Sequence, residues 1–235
     1  MIAAFADHLL RQVVEDPKAK IVFAGRDGLG PYLMAQKLLE RFPDHYPNIA
    51  SDRLVYAFLT RKVVQHSSAA TLQEYFKQLG ITVDDNIVLA DVGMYGTMLF
   101  PLKEKLSGFN FAKIEYLISR TGQANGFIDD GDANTMPVFD RISGNPAIHF
   151  LEDTFSGTIK SPEQLVATEH GLEPNTLTTT YEDLEALKRE YALQSLIDYV
   201  SILESPKINL YEAKQRLNDF LQNPTQYKDL MVPHE

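Results

Sequence analysis

Hydrophobic positions over the first half of the chain alternate between helical spacing and short apolar runs. Residues 2–16 carry apolar side chains at helical spacing, which predicts an amphipathic helix that ends at Asp16-Pro17. Four short runs predict β-strands at Lys20–Ala24, Arg53–Leu59, Asn86–Ala90 and Lys113–Ile118. Helical patterns follow three of them, at Tyr32–Arg41, Thr71–Leu79 and Thr97–Leu106. Strands that alternate with helices of this length predict an α/β fold, with a parallel sheet flanked by helices.

This alternation ends after about residue 121. Residues 122–150 are rich in Gly, Asn and Asp, and they predict a long connection with one edge strand near Met136–Phe139. Helical patterns return at Ala147–Phe155, Tyr181–Leu203 and Leu210–Leu221. We therefore predict an α/β core over residues 1–160 and a helical C-terminal appendage over residues 161–235.

Composition narrows the possible chemistry. The chain of 235 residues contains no Cys, so disulfides, thiolate metal sites and thiol nucleophiles are excluded. Its net charge is −10 and no Lys/Arg cluster stands out, which argues against nucleic acid as the main partner. The N-terminus does not resemble a secretory signal, and no apolar run approaches the ~20 residues of a transmembrane helix. These features predict a cytoplasmic protein without a transmembrane segment.

Polar residues follow each predicted strand at its carboxyl end. They are Arg26-Asp27, Thr60-Arg61, Asp91 and Ser119-Arg120. In open parallel sheets, ligands bind outside the carboxyl ends of the strands. The sequence therefore predicts a ligand site at this edge of the sheet.

Two of these strand ends continue into glycine-rich loops, GRDGLGP and ADVGMYGTM. Glycines allow the backbone to approach a ligand closely, and the start of a helix presents free N–H groups to an anion. Neither loop has the spacing of a dinucleotide fingerprint or a P-loop. Each loop alone could be an ordinary turn, but two on nearby strand ends favour a ligand with both hydroxyl groups and phosphate, such as a sugar phosphate.

The two loops resemble those of type I phosphoribosyltransferases. IVLADVGMYGTMLFPLKEKL is similar to the loop of that family that binds phosphoribosyl diphosphate (PRPP), and KIVFAGRDGLGPYLMAQKLLERF is similar to its first, diphosphate-binding loop. Two departures are visible. The family usually has two adjacent acids, whereas here Ala90 precedes Asp91, and its Thr-Gly-x-Thr sequence is rearranged to Tyr95-Gly96-Thr97-Met98.

The combination of RDG, FLTRK, DVGMYGTM and HFLEDTFSGT resembles more closely a domain of bacterial polysaccharide-assembly proteins. The resemblance covers about residues 20–160. It implies a type I phosphoribosyltransferase-like enzyme that moves 5-phosphoribofuranose from PRPP to a glycan acceptor, a lipid-linked oligosaccharide, and releases diphosphate. It also implies Mg²⁺ as cofactor and, as functional partner, a phosphatase of the haloacid dehalogenase type that removes the 5-phosphate.

The resemblance implies a role for each site residue. Asp91 would hold the ribose hydroxyls and Mg²⁺, and Asp27 or Glu152 would act as the base, with Asp27 preferred because it lies in the diphosphate loop. Arg26, Arg61 and Lys62 would supply positive charge to the diphosphate. The predicted substrate-binding residues are Gly25, Arg26, Gly28, Thr60, Arg61, Lys62, Val92, Gly93, Met94, Tyr95, Gly96, Thr97 and Arg120.

Two alternatives remain open at this level. One is a nucleobase phosphoribosyltransferase. The other is a regulatory domain that binds PRPP or another phosphate without catalysis, which the replacement of an acid by Ala90 suggests.

Overall fold

The computed structural model of the chain describes residues 2–14, 16–94, 97–119, 125–129, 154–158, 161–175 and 183–206, with scattered positions between 209 and 223. Its central feature is a parallel sheet with the strand order β2–β1–β3–β4–β5. The strands are β1 (Ala19–Ala24), β2 (Leu54–Ala57), β3 (Asn86–Met94), β4 (Asn110–Ser119) and β5 (Asn125–Asp129). The helices are α1 (Ile2–Val14), α2 (Leu29–Arg41), α3 (Arg61–His66), α4 (Ala69–Gln78), α5 (Leu99–Lys105) and α6 (Asp183–Ile202). This architecture confirms the prediction of an α/β fold with a parallel sheet flanked by helices.

The sheet has a buried helical layer on each face. Successive side chains of a strand point to opposite faces, so Ile21 and Phe23 of β1 pack with α1 and α2, whereas Val22 packs with α3, α4 and α5. Val200 of α6 belongs to the first of these layers. Because both faces are covered, the central strands are nearly continuous apolar runs, as predicted.

Two predicted boundaries are wrong because strand pairing continues past the apolar runs. β3 was predicted to stop at Ala90, but it continues to Met94, since Asp91 pairs with Tyr116 of β4 and Met94 pairs with Ser119. β4 correspondingly begins at Asn110, not at Lys113. In addition, α5 begins at Leu99, not at Thr97.

A buried arginine joins the amino-terminal edge of the sheet to α1. Arg53 is 8% exposed and donates hydrogen bonds to the carbonyl oxygens of Ala19 (2.8 Å), Asn48 (2.7 Å) and Val13 (3.0 Å). Val13 lies in the last turn of α1, whose carbonyl groups have no partner within the helix. The guanidinium group therefore satisfies carbonyl groups from three separate segments.

The C-terminal part contains a β-hairpin in addition to helix. The hairpin consists of β6 (Leu165–Thr168) and β7 (Gly171–Pro174), within the range predicted to be a helical appendage. The predicted helix Tyr181–Leu203 is present as α6, which packs against α2. The predicted edge strand Met136–Phe139 lies outside the described residues. No described helix combines the length and the apolar character that are needed to cross a membrane.

Candidate ligand site at the carboxyl edge of the sheet

The strand order creates a crevice between β1 and β3. From β1 the chain moves to β2 on one side, and it then returns to form β3 on the other side. The connections that follow β1 and β3 therefore lead away from each other and leave a crevice between them. In open α/β sheets, ligands bind in such a crevice, outside the carboxyl ends of the strands. The loop after β1 is GRDGLG, and the second predicted motif covers the end of β3 and the residues that follow it. The topology thus places both motifs on either side of one crevice.

Asp91 lies at the level where β1 ends. Phe23 pairs with Ala90, so the next residues on the two strands, Ala24 and Asp91, are adjacent. Asp91 was predicted to follow the end of β3, and it lies instead inside that strand. It still stands at the carboxyl edge of the sheet on its β1 side, because β1 stops at Ala24 while β3 continues.

Glycines of the first loop are required by the fold itself. Gly25 has φ +74°, a conformation that favours glycine, and its N–H donates to the carbonyl of Ala57 at 3.0 Å. A Cβ on Gly28 would lie 2.6 Å from the carbonyl oxygen of Ala24. Backbone packing therefore explains both glycines without a ligand, and their predicted contact with diphosphate stays a prediction.

Arg26 and Asp27 form an ion pair with each other. The distance from Arg26 Nε to Asp27 Oδ1 is 2.9 Å, and the side chains are 22% and 24% exposed. Both groups are therefore accessible to a ligand, and both lie directly after β1. Arg26, which is predicted to bind the diphosphate, therefore forms an ion pair with Asp27, which is predicted to be the base.

Tyr56 of β2 lies close to this ion pair and was missed by sequence reasoning. Its ring stacks on Tyr32, with ring centres 5.7 Å apart, and meets the edge of Phe58 at 5.0 Å. Burial raises the pKa of Tyr56 far above its ordinary value, and the negative charge of Asp27 raises it further, whereas Arg26 opposes the shift. The hydroxyl is enclosed and has no hydrogen-bond partner in the described part of the chain.

Asp91 lies at the carboxyl edge of the sheet, on the face opposite to that of Tyr56. Tyr116, its neighbour on β4, belongs to the layer formed by α3, α4 and α5. Burial raises the pKa of Tyr116 above its ordinary value, and the charge of Asp91 adds to this effect. Tyr56 packs against the layer formed by α1 and α2, and Tyr116 belongs to the layer formed by α3, α4 and α5, so the two phenols lie on opposite faces of the sheet.

Thr60 and Lys62 have protein partners in this structure. The Thr60 hydroxyl accepts a hydrogen bond from Val63 N (3.1 Å) as the N-cap of α3, and it donates to Pro162 O (2.8 Å). The Lys62 ammonium pairs with the carboxylate of Glu163. These two predicted ligand residues therefore hold the segment that leads into the β6–β7 hairpin. Arg61, between them, is exposed.

The region after β3 is described in part. Val92 is buried, and its side chain packs in the layer formed by α1 and α2. Gly93 and Met94 continue β3, and Thr97 is exposed just before α5. The predicted residues Tyr95, Gly96, Arg120 and Glu152 lie outside the described residues.

Residues 154–158, the end of the HFLEDTFSGT motif, pack on the helix that follows the first loop. Phe155 is fully buried, and its Cα would lie 3.1 Å from a Cβ on Gly30 in the first turn of α2. On the other side, Gly157 faces Leu193 of α6. The structure therefore brings the last motif next to the first, although more than a hundred residues separate them in sequence.

A second concave region lies away from these residues. It is a depression of about 300 Å³ on the connection between α2 and β2, between Leu39 and Ala50. Tyr46 is the one titratable side chain among its lining residues, and its hydroxyl donates to Asp7 at 2.7 Å. The strand-end crevice carries the chemistry-bearing side chains, so we regard it as the candidate site.

Within the described residues, no group of three or more His, Asp or Glu side chains could hold a metal ion. Comparisons with protein-family models, curated proteins and solved structures give no match to this chain. The type I phosphoribosyltransferase fold and activity therefore stay predictions from the sequence motifs.

Proposed function

We propose that the chain is a phosphoribosyltransferase that transfers 5-phosphoribofuranose from PRPP to a glycan acceptor and releases diphosphate. One observation carries the proposal. Arg26 and Asp27 directly follow β1, and Asp91 stands level with the end of the same strand on β3, across the crevice of a parallel sheet. A cation and two carboxylates at this position suit a ligand that has both a diphosphate and a diol.

Arg26 is the proposed contact for the diphosphate. Its guanidinium group is partly exposed in the loop before α2, so an anion can reach it, and Arg binds phosphate groups through charge-assisted hydrogen bonds. Neutralising the charge of the departing diphosphate lowers the barrier for transfer. Arg61, which is exposed at the start of α3, is proposed to add charge from the neighbouring strand end.

Asp91 is the proposed contact for the ribose hydroxyls and for Mg²⁺. A single carboxylate fits Mg²⁺ when the ion takes its other oxygen ligands from the diphosphate and from water. Mg²⁺ would supply further charge neutralisation to the leaving group. The carboxylate itself accepts hydrogen bonds from the two hydroxyls and so fixes the position of the sugar.

Asp27 is the proposed base. The acceptor hydroxyl forms a bond to the anomeric carbon, the bond from that carbon to the diphosphate oxygen breaks, and the hydroxyl proton passes to the carboxylate. In the structure Arg26 Nε donates to Asp27 Oδ1 at 2.9 Å, which holds the Asp27 side chain directly after β1. Glu152 remains the second candidate for the base.

The proposed acceptor is a lipid-linked oligosaccharide, and the proposed functional partner is a phosphatase of the haloacid dehalogenase type, with the reaction in the cytoplasm. These parts rest on the resemblance of RDG, FLTRK, DVGMYGTM and HFLEDTFSGT to polysaccharide-assembly proteins. The packing of residues 154–158 against α2 supports the grouping of the first and last of these motifs.

One observation favours a nucleobase as the alternative acceptor. Tyr32, Tyr56 and Phe58 form an aromatic group next to Asp27, and aromatic rings stack well on planar bases. The same rings also pack well against a sugar, so the acceptor that triggers release of diphosphate distinguishes the two enzymes.

The test uses the full chain with PRPP and Mg²⁺ and measures the release of diphosphate. Release that depends on a lipid-linked glycan supports the proposal, and the product must gain one phosphoribosyl group by mass. Release that depends on a free nucleobase favours the alternative enzyme. Binding of PRPP without release in either case indicates a regulatory domain, and the absence of PRPP binding contradicts all three.

A further inference from the structure

Helix α6 carries apolar side chains on two opposite faces. One face packs on α2, because Val200 is fully buried in the layer formed by α1 and α2, and Leu196 and Leu203 pack against the same layer. The other face is open. Six large apolar side chains are exposed in the described part of the chain, and four of them belong to α6. They are Leu187 (62% exposed), Tyr191 (77%), Tyr199 (47%) and Ile202 (74%).

These four residues form one stripe along the helix, which we call the exposed stripe. Tyr191 lies one turn after Leu187, and Ile202 lies three turns after Tyr191, so the three side chains point in nearly the same direction. Tyr199 lies beside them. Val200 comes two and a half turns after Tyr191 and therefore lies on the opposite side of the helix. A helix that is apolar all round is normally buried, and a contiguous exposed apolar patch indicates an interaction site.

The exposed stripe is complementary to itself when a second copy of α6 lies against it in the antiparallel direction. In a two-fold pair, each contact between two residues occurs twice, once in each direction. With the axis just after Gln194, Leu187 faces the partner's Ile202. Tyr191 then faces the partner's Asp198. An apolar pair thus forms near each end of the contact, and between them a phenol meets a carboxylate, which is a strong acceptor for its hydrogen bond.

Charge also favours the antiparallel direction. The same axis places Glu190 opposite the partner's Tyr199 and Lys188 opposite the partner's Ser201, so these contacts join no like charges. In a parallel pair every residue would face its own copy, and the two Asp198 carboxylates would repel each other. An anionic lipid surface fits less well, because the chain has a net charge of −10 and two of the exposed residues beside the stripe are acidic.

The area of the exposed stripe suits a dimer of modest affinity. A large side chain offers roughly 200 Å² when it is fully exposed, so the four exposed fractions amount to on the order of 500 Å² per copy. Two copies would bury about 1,000 Å², which is the lower limit for a specific interface. The 20 residues of α6 span about 30 Å, which is long enough for all of these contacts.

We propose that two copies of the chain associate through the exposed stripe, as an antiparallel pair of α6 helices about a two-fold axis. The pair covers the second apolar face of α6 while the first stays packed on α2. The dimer does not depend on the proposed phosphoribosyltransferase activity, because the stripe contains none of the residues assigned to the ligand site.

Sedimentation equilibrium of the full chain tests the proposal, at concentrations from about 1 µM to about 1 mM. We expect a reversible equilibrium between monomer and dimer, with a dissociation constant in the micromolar range, because the interface is small.

Two variants test the register of the pair. Leu187→Glu and Ile202→Lys each place a charge against an apolar side chain twice in the dimer, so each alone should raise the dissociation constant about 100-fold or more. An equimolar mixture should form a heterodimer again. In that heterodimer the new carboxylate meets the new ammonium group, and the other contact keeps the original pair of Leu187 and Ile202.

Val83→Glu is the matched control. Val83 is also an exposed apolar residue, at 58%, but it lies in the turn before β3. The substitution introduces the same charge outside α6, and it should leave the dissociation constant unchanged. Thermal unfolding of all three variants, at a concentration where the wild-type protein is monomeric, should give temperatures close to that of the wild-type protein.

Several results would contradict the dimer. A wild-type protein that stays monomeric up to about 1 mM has no such interface, and its binding to anionic vesicles would make a lipid surface the occupant. Equal effects of Val83→Glu and Leu187→Glu would indicate repulsion by net charge. A mixture of the two α6 variants that stays monomeric would show that Leu187 does not face Ile202. A much lower unfolding temperature of either α6 variant would mean that the stripe is covered within one chain.

Discussion

Gly30, in the first turn of α2, lies directly against the backbone of Phe155. A Cβ on Gly30 would stand 3.1 Å from Phe155 Cα and 3.3 Å from its Cβ, closer than side chains normally pack. Phe155 is fully buried between α2 and α6, so it has little freedom to withdraw. This contact fixes the position of residues 154–158 beside the GRDGLG loop.

Gly30→Ala should therefore destabilise the protein. Alanine is the better helix former by about 1 kcal/mol, so in an open position the change would stabilise α2. Here we expect overpacking against Phe155 to prevail, with a net loss of about 1–3 kcal/mol in the free energy of unfolding. Denaturant unfolding measures this loss. Gly108→Ala is the control, because a Cβ on Gly108 meets nothing within 4 Å. A stabilised Gly30→Ala protein would contradict the packing of the two motifs.

Arg53→Met should cost about 3–5 kcal/mol of unfolding free energy. Methionine keeps much of the side-chain volume but leaves the carbonyl groups of Val13, Ala19 and Asn48 without the donor that they share. Arg53→Lys restores the charge without the planar fork of donors, so we expect it to recover part of the loss. Chemical denaturation of both variants checks the order. If the proteins with Met, Lys and Arg at position 53 are equally stable, the hydrogen bonds of Arg53 make no net contribution to the free energy of unfolding.

Apolar runs predicted the sheet because the strands are covered on both faces. The run from Lys20 to Ala24 corresponds to β1 almost residue for residue. The same logic failed beyond Ala90, since Asp91 and Gly93 resemble a loop in hydropathy, while hydrogen bonds from β4 keep them in the strand. Pairing between strands is not visible in the pattern of either strand alone.

Long-range partners account for most of what sequence reasoning missed at the site. Lys62 has the charge and position that binding of a phosphate requires. In the structure, however, its ammonium group pairs with the carboxylate of Glu163, which is distant in sequence. Tyr56 fell within a predicted strand, and nothing in its local pattern indicated that its hydroxyl would be enclosed without a hydrogen-bond partner among the described residues. The β6–β7 hairpin was missed because its strands are short and mostly half-buried; Leu165 belongs to the layer formed by α3, α4 and α5, and Leu172 packs against that layer.

Gln78→Ala should loosen the hairpin without unfolding the core. The Gln78 side-chain amide accepts from Leu172 N at 2.7 Å and donates to Leu172 O at 3.0 Å, so it joins α4 to β7. We expect faster hydrogen exchange at the Leu172 amide and a global loss of at most about 1 kcal/mol. Lys77→Ala, at an exposed neighbouring position, is the control. Unchanged protection of Leu172 would mean that the hairpin is held elsewhere.

Arg26→Ala should weaken PRPP binding by about 1–3 kcal/mol, the usual value of a hydrogen bond between charged groups. The fold should be unaffected, because the Arg26–Asp27 pair is partly exposed and contributes little to stability. Titration calorimetry measures the affinity. Lys18→Ala removes an equal charge at the opposite, amino-terminal end of β1, and it should leave the affinity unchanged. Similar losses in the two variants would indicate attraction by net charge and not a contact at Arg26.

Asp91→Asn should abolish transfer while the protein stays folded. The side chains have the same shape, but the amide loses the charge that holds Mg²⁺ and one of the acceptor sites for the ribose hydroxyls. We expect phosphoribosyl transfer to fall roughly 10²-fold or more, in the range seen when one group that stabilises a transition state is removed. Asp84→Asn, an exposed position before β3, serves as the control, and thermal unfolding of both variants verifies the fold. Turnover at the wild-type rate in Asp91→Asn would place the ribose elsewhere, since Asp91 is the carboxylate on β3 that stands level with the end of β1.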